Sequence, residues 1–180
     1  MGKIVISGPQ NVSLDGVVQD PDGKEDFRLG GWFIQFGGKD LQEWNKLALD
    51  EALRAEAWLL GRRSYGFFEV RWRPRSGELA DRLNSMPKYI VSSTLEDPEW
   101  NNSTVLQGDV VSAVGKLKRD LDGEIVVPAS RQLGRTLIEH DLVGRAATGG
   151  LPSRARGRRA PLRRDQQPEA DAPHRGSDDR

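Results

Sequence analysis

The feature that most constrains this chain is a break in composition at Val143. From Gly144 to Arg180 the sequence has nine Arg, no Lys, and no Val, Ile, Met, Phe, Tyr or Trp. Leu151 and Leu162 are its two leucines. Nothing there can bury enough apolar surface to offset chain entropy, so any core must come from residues 1–143. The zero formal charge of the 180 residues also divides at this point. The last 37 residues carry nine basic against five acidic side chains, and the first 143 carry 18 against 22. A mildly acidic domain over 1–143 is thus joined to a basic tail over 144–180. Four origins stay open for the tail: a disordered solubilising segment, an Arg-rich nucleic-acid arm, an expression scar, or out-of-frame translation.

Composition narrows the rest. The absence of cysteine excludes disulfides, thiolate zinc sites and cysteine nucleophiles, and fits a reducing, cytoplasmic setting. No run approaches the roughly 20 apolar residues of a membrane span. The apolar stretch in MGKIVISGPQ is too short for a signal peptide. Overall neutrality argues against a general nucleic-acid binder.

Short β-branched runs alternate with helical spacing along 1–143. Strands are expected at Lys3–Ser7, Ala57–Leu60, Lys88–Ser92, Thr104–Leu106 and Glu124–Val127, with another beginning at Leu142-Val143. Helices are expected at Lys39–Glu56, Arg62–Val70, Ser76–Ser85, Asp109–Arg119 and Ser130–Glu139, with Asp109 as an N-cap. Residues Asp20–Gly38 read as a long ordered loop. This alternation predicts an α/β fold: a three-layer, mostly parallel sheet covered by helices on both faces.

In such sheets ligands sit beyond the carboxyl ends of strands. Those ends are Asn11–Gly16, Gly61–Ser64, Ser92–Thr94 and Pro128–Gln132. Gly61-Arg62-Arg63-Ser64 joins a glycine, a helix start and two cations, a combination suited to phosphate; a plain helix start with solvated arginines is the alternative. The hydroxyls of Ser92, Ser93 and Thr94 either bind a sugar phosphate or serve their own loop. Asp15 is a turn former or a weak catalytic candidate. Trp32, Tyr65 and Phe68 are candidates to wall a substrate pocket, or core. His140 has no companions at ligand spacing, so no metal is expected.

Taken in order, KIVIS…SLDGVV, LLGRRSY, PKYIVSSTL, EWNNSTVL and TLIEHDLV resemble the dihydrofolate-reductase-like family. The closer likeness is to the branch related to the C-terminal reductase domain of the bifunctional riboflavin-biosynthesis deaminase/reductase. The resemblance covers about residues 3–143. It implies an NADPH-dependent reductase acting on a small pterin, pyrimidine or carbonyl-type substrate. Gly61, Arg62, Arg63 and Ser64 would hold cofactor phosphates, with Ser92, Ser93 and Thr94 toward the adenosine side. Ala129, Ser130, Gln132 and Leu133 stand where many members carry a glycine-rich pyrophosphate turn. Ser13, Asp15 and Gly16 would border the nicotinamide. Dihydrofolate reductases place an acid on the first helix; Asp40, Glu43 and Asp50 lie nearby without a matching motif. A homodimer is the implied assembly. The rival readings are a nucleotide-binding module without turnover and nucleic-acid binding through the tail.

The resemblance bears on the tail. Members continue after HDLV with DELRLVVYP-like and VLGAGERLFG-like segments. Codons can be chosen for Gly144–Gln167 that, read one nucleotide later, spell DELRLVVYPRVLGAGERLFGETS. The expectation is a single-base insertion near Val143-Gly144. The last strands of the sheet would then be missing, residues from 144 onward irregular, and the chain poorly stable and weak or inactive as an enzyme.

Overall fold

A computed structural model describes residues 1–7, 17–37 and 40–146. The elements run β1 (Lys3–Ile6), α1 (Trp32–Gly37), α2 (Asp40–Arg54), β2 (Ala55–Gly61), α3 (Arg62–Trp72), α4 (Glu78–Ser85), β3 (Lys88–Val91), β4 (Ser103–Leu106), α5 (Val110–Asp120), β5 (Glu124–Val127), α6 (Arg131–Glu139) and β6 (Val143–Ala146). The six strands form one sheet in the order β4-β3-β2-β5-β1-β6. Every pairing is parallel. This is the expected α/β architecture, with a sheet that is parallel throughout the described residues.

The four inner strands, β3, β2, β5 and β1, serve two cores, because successive side chains point to opposite faces. On one face Val5, Trp58, Leu60, Ile90 and Val126 pack with Ala52, Tyr65, Leu83, Met86 and Trp100. On the other Ile4, Leu59, Ile125 and Val127 pack with Val114, Leu117, Leu133 and Leu137. Thus α2, α3 and α4 cover one side, and α5 and α6 the other. Strands buried on both faces explain why AWLL and EIVV are continuous apolar runs rather than alternating ones.

Local signals account for several boundaries. Asp109 caps α5, accepting a hydrogen bond from the Ser112 N–H at 2.8 Å. β2 starts two residues earlier than expected, because Ala55 pairs with Glu124.

Two expectations need correction. Residues 20–38 are not all loop, since Trp32–Gly37 forms α1. A turn centred on Asp20 holds its entry. The buried Asp20 carboxylate accepts from the N–H groups of Lys24, Glu25 and Phe27, and Pro21 O accepts from the Phe33 N–H. Nor does order stop at Val143. β6 runs on to Ala146 beside β1, with a register shift at Gly144 that pairs Ile4 with Val143 and Val5 with Arg145. Backbone pairing there needs no apolar side chain, so composition alone placed the end too early. Among the described residues β6 is an outer strand of the sheet, paired only with β1.

No helix among the described residues is long and apolar enough to cross a membrane.

Candidate functional site

The strand order reverses between β2 and β5. From β2 the chain leaves through α3 and α4 to β3; from β5 it leaves through α6 to β6, in the opposite direction and over the opposite face. The crevice opened by such a reversal is the favoured ligand position in an open α/β sheet. The two turns that border it are Gly61–Ser64 and Pro128–Gln132.

These turns touch. The Gly61 N–H donates to Ser130 Oγ at 3.0 Å, and Ser64 Oγ donates to Ala129 O at 3.3 Å. Ala129 sits at φ 49°, in the left-handed region that favours glycine. Gly61 has ordinary extended dihedrals, so its value is space rather than conformation. A Cβ built there meets nothing closer than Ser130 Oγ at 3.9 Å. A ligand can therefore approach the backbone at that point.

Both helices that start here are open at their N-termini. Neither α3 nor α6 has a side-chain cap or an acidic residue in its first turn. By contrast α4 has Glu78 and Asp81 in its first turn, and α5 has its Asp109 cap. Free N–H groups and the positive dipole end favour an anion at each open terminus. Arg62 and Arg63 add exposed positive charge at α3. Arg63 faces Glu25 at 3.6 Å.

The segment leading into α1 is fastened to α3. Asp22 makes a two-pronged ion pair with Arg71, at 2.7 and 2.8 Å. The guanidinium in turn stacks on the Phe67 ring, 3.6 Å from its centroid. Arg71 holds the Asp22 carboxyl below its ordinary range.

The other predicted residues fall in different places. Val91 is in register with Gly61, so Ser92 follows at the edge of the same cradle. Its Oγ accepts from the N–H groups of Thr94 and Leu95, which is the local-loop role; Ser93 and Thr94 are exposed. Gln132 is exposed on α6, whereas Leu133 is buried in the core beneath it. Tyr65 is buried, and its hydroxyl oxygen accepts from the Trp100 N–H at 3.0 Å. Burial raises its pKa. Phe68 packs on Trp58 with ring centroids 5.1 Å apart. Tyr65 is thus a core residue that also lines the cavity beside α3, Phe68 is half-buried against the same core, and Trp32 lies apart from them on α1, its Nε1 donating to Gln19 O. Ser13, Asp15 and Gly16 lie outside the described residues. Among those described, no group of three or more His, Asp and Glu could hold a metal ion.

One polar group went unnoticed in the sequence. Glu51 of α2 is buried and accepts a hydrogen bond from Ser7 Oγ at 2.6 Å. Ser7 follows β1, and its N–H donates to Val127 O at 3.2 Å, one strand away from the Ala129 turn. Glu43 and Asp50, the described carboxylates favoured by sequence position, are exposed. Helical periodicity counts Glu51 as one more solvated acid; only its contact with residue 7 marks it.

An open cavity of about 720 Å³ lies on the other flank of α3, between that helix and Leu95–Glu99. Arg73 crosses it, 2.6 Å from Glu99 and 3.6 Å from Glu69. It shares Arg62 with the cradle but lies away from the strand reversal, so we assign the site to the crevice.

Residues 10–148 match the family described as the RibD C-terminal domain. The chain belongs to that family. It comprises the dihydrofolate-reductase-like reductase domain of the riboflavin-biosynthesis deaminase/reductase, and it supports a reductase-type function for this chain. Members are typically NADPH-dependent. The parallel sheet with helices on both faces is consistent with the dihydrofolate-reductase-like fold. No curated protein matches the chain.

Proposed function

We propose that this chain is an NADPH-dependent reductase that passes hydride to a small pterin, pyrimidine or carbonyl-type substrate. The observation that carries the reading is the pair of uncapped helix N-termini, α3 and α6, tied together where the strand order reverses.

A dinucleotide suits that cradle. Gly61 leaves its backbone approachable, Arg62 and Arg63 supply charge, and neither helix start holds a competing carboxylate of its own. Each open helix N-terminus favours an anion by about 0.3–1 kcal/mol, and a charge-assisted arginine contact by about 1.5–3 kcal/mol. In this reading Gly61–Ser64 and the start of α6 hold the phosphates, and Ser92–Thr94 border the adenosine side. Bound there, the cofactor supplies the hydride; the protein supplies position and electrostatics. Ser7 and the buried Glu51 place a hydroxyl and a carboxyl at the end of β1, on the side away from Ser92. Among the described residues, they are polar side chains placed at that end of the sheet.

Titration with NADPH, followed by NADPH oxidation over pterin, pyrimidine and small carbonyl substrates, tests the reading. The expected result is saturable binding that weakens with salt, and oxidation with one of the three classes, weaker in this chain than in its frame-corrected version. Absence of NADPH binding by both proteins refutes it. Binding without oxidation by any class leaves the nucleotide-binding module in its place.

A further inference from the structure

We propose that Ser130 is a positioning residue that fastens the two turns of the phosphate cradle to each other. The inference rests on the reading above and assigns one residue a role within it.

Ser130 stands at the N-cap of α6, where a serine ordinarily turns its hydroxyl onto an N–H of the first helical turn. It does not do so here. Its φ of −91° and ψ of 66° carry the side chain away from the helix, and Oγ accepts the N–H of Gly61, 69 residues earlier. Ser130 is 8% exposed, and its Oγ lies in the seam between the turns, where it accepts from Gly61. The left-handed Ala129 immediately before it sets this orientation, and Ala129 O accepts from both Ser64 Oγ and the Arg131 N–H. Both cross-links thus run the same way: the β2–α3 turn donates, and the β5–α6 turn accepts.

Two consequences follow for a bridging anion. The separation of the two helix N-termini is fixed before ligand arrives, so less ordering is left to binding. The first-turn N–H groups of α6 also stay free of a side-chain cap, because the residue able to cap them is engaged elsewhere. The hydroxyl therefore acts through backbone placement.

The test compares wild type with Ser130→Ala, Ser130→Cys and Ser130→Thr, at a temperature where each is folded. Cysteine keeps the size but is a weak acceptor, and threonine keeps the hydroxyl. Amide hydrogen exchange at Gly61 reads the clamp without any ligand. It should accelerate in the Ala and Cys variants and stay slow in the Thr variant. NADPH affinity should fall about two- to tenfold in the Ala and Cys variants, the range for one neutral hydrogen bond, and recover in Thr. Unchanged Gly61 exchange in both Ala and Cys overturns the clamp. Faster exchange with unchanged NADPH affinity overturns the positioning role and leaves a purely structural bond. If wild type shows the exchange signature yet neither it nor its frame-corrected version binds NADPH, the functional reading fails and the positioning role with it, while the clamp itself stands.

Discussion

Lys88 opens β3 with its side chain fully buried. Its ammonium donates to Met86 O and Asn101 O at 2.8 Å and to Asn84 O at 3.3 Å, and lies 4.5 Å from the centre of the Trp100 ring. Burial, aided by the nearby Arg82 charge, pushes its pKa down to about 8 from the usual 10.5. Between those values the unfolded chain holds a proton that the folded chain has released. Stability must therefore rise with pH across that window, and the penalty is fully present below about pH 8. Its size is about 3 kcal/mol, of which about 2 kcal/mol is recovered between about pH 7.5 and pH 10. Lys88→Met removes the titrating group and keeps an unbranched side chain. Urea unfolding followed by tryptophan fluorescence at both pH values gives the gain for each protein. Wild type should gain about 2 kcal/mol more than the variant; other groups titrate in both and cancel. Whatever offset Lys88→Met shows at one pH, from the three carbonyls it leaves, the pH slope is the readout. Equal gains would place the ammonium in water and refute the buried cage.

Two further predictions concern the cradle and the tail. Ala129→Gly removes left-handed strain but loosens the unfolded chain, so stability should move by no more than about 1 kcal/mol. Ala129→Val puts a branched residue at the same φ and should cost about 2 kcal/mol of stability, read as a lower melting midpoint; a harmless valine would contradict the φ of 49°. For the tail, we propose an out-of-frame reading beginning near Val143-Gly144. DNA sequence across the codons for Gly144–Gln167 decides it, since any codon that blocks DELRLVVYPRVLGAGERLFGETS ends the idea. If the shift is real, the frame-corrected protein should aggregate less than this chain, because the restored segments would cover the open sheet edge beyond β1.

The sheet and its two helical layers were legible because doubly buried strands leave apolar runs and amphipathic helices leave stripes. α1 was not, because WFIQFG has no helical signature of its own and depends on the turn that Asp20 gathers. The Gly61–Ser64 and Ala129–Gln132 turns were readable as strand ends facing a ligand. What stayed hidden depended on contacts between distant residues. Ser130 looked like an ordinary cap until Gly61 claimed its hydroxyl, and Glu51 looked solvated until Ser7 reached it. Nor can sequence show Trp100 and Trp58 lying against Tyr65 and Phe68, which makes both part of the core while Tyr65 still lines the cavity beside α3.

The sheet also divides the molecule optically. Trp58, Trp72 and Trp100 pack in the α2–α4 core, and Trp32 and Trp44 lie on α1 and α2. The α5–α6 layer has no tryptophan, and the one aromatic ring packed against its core is Tyr89. Tryptophan emission therefore reports on one half of the protein. Loosening of α6, the helix that carries half of the proposed cradle, would pass unseen in a fluorescence melt. Agreement between that melt and backbone exchange in α5 and α6 is what would establish that the two layers unfold together.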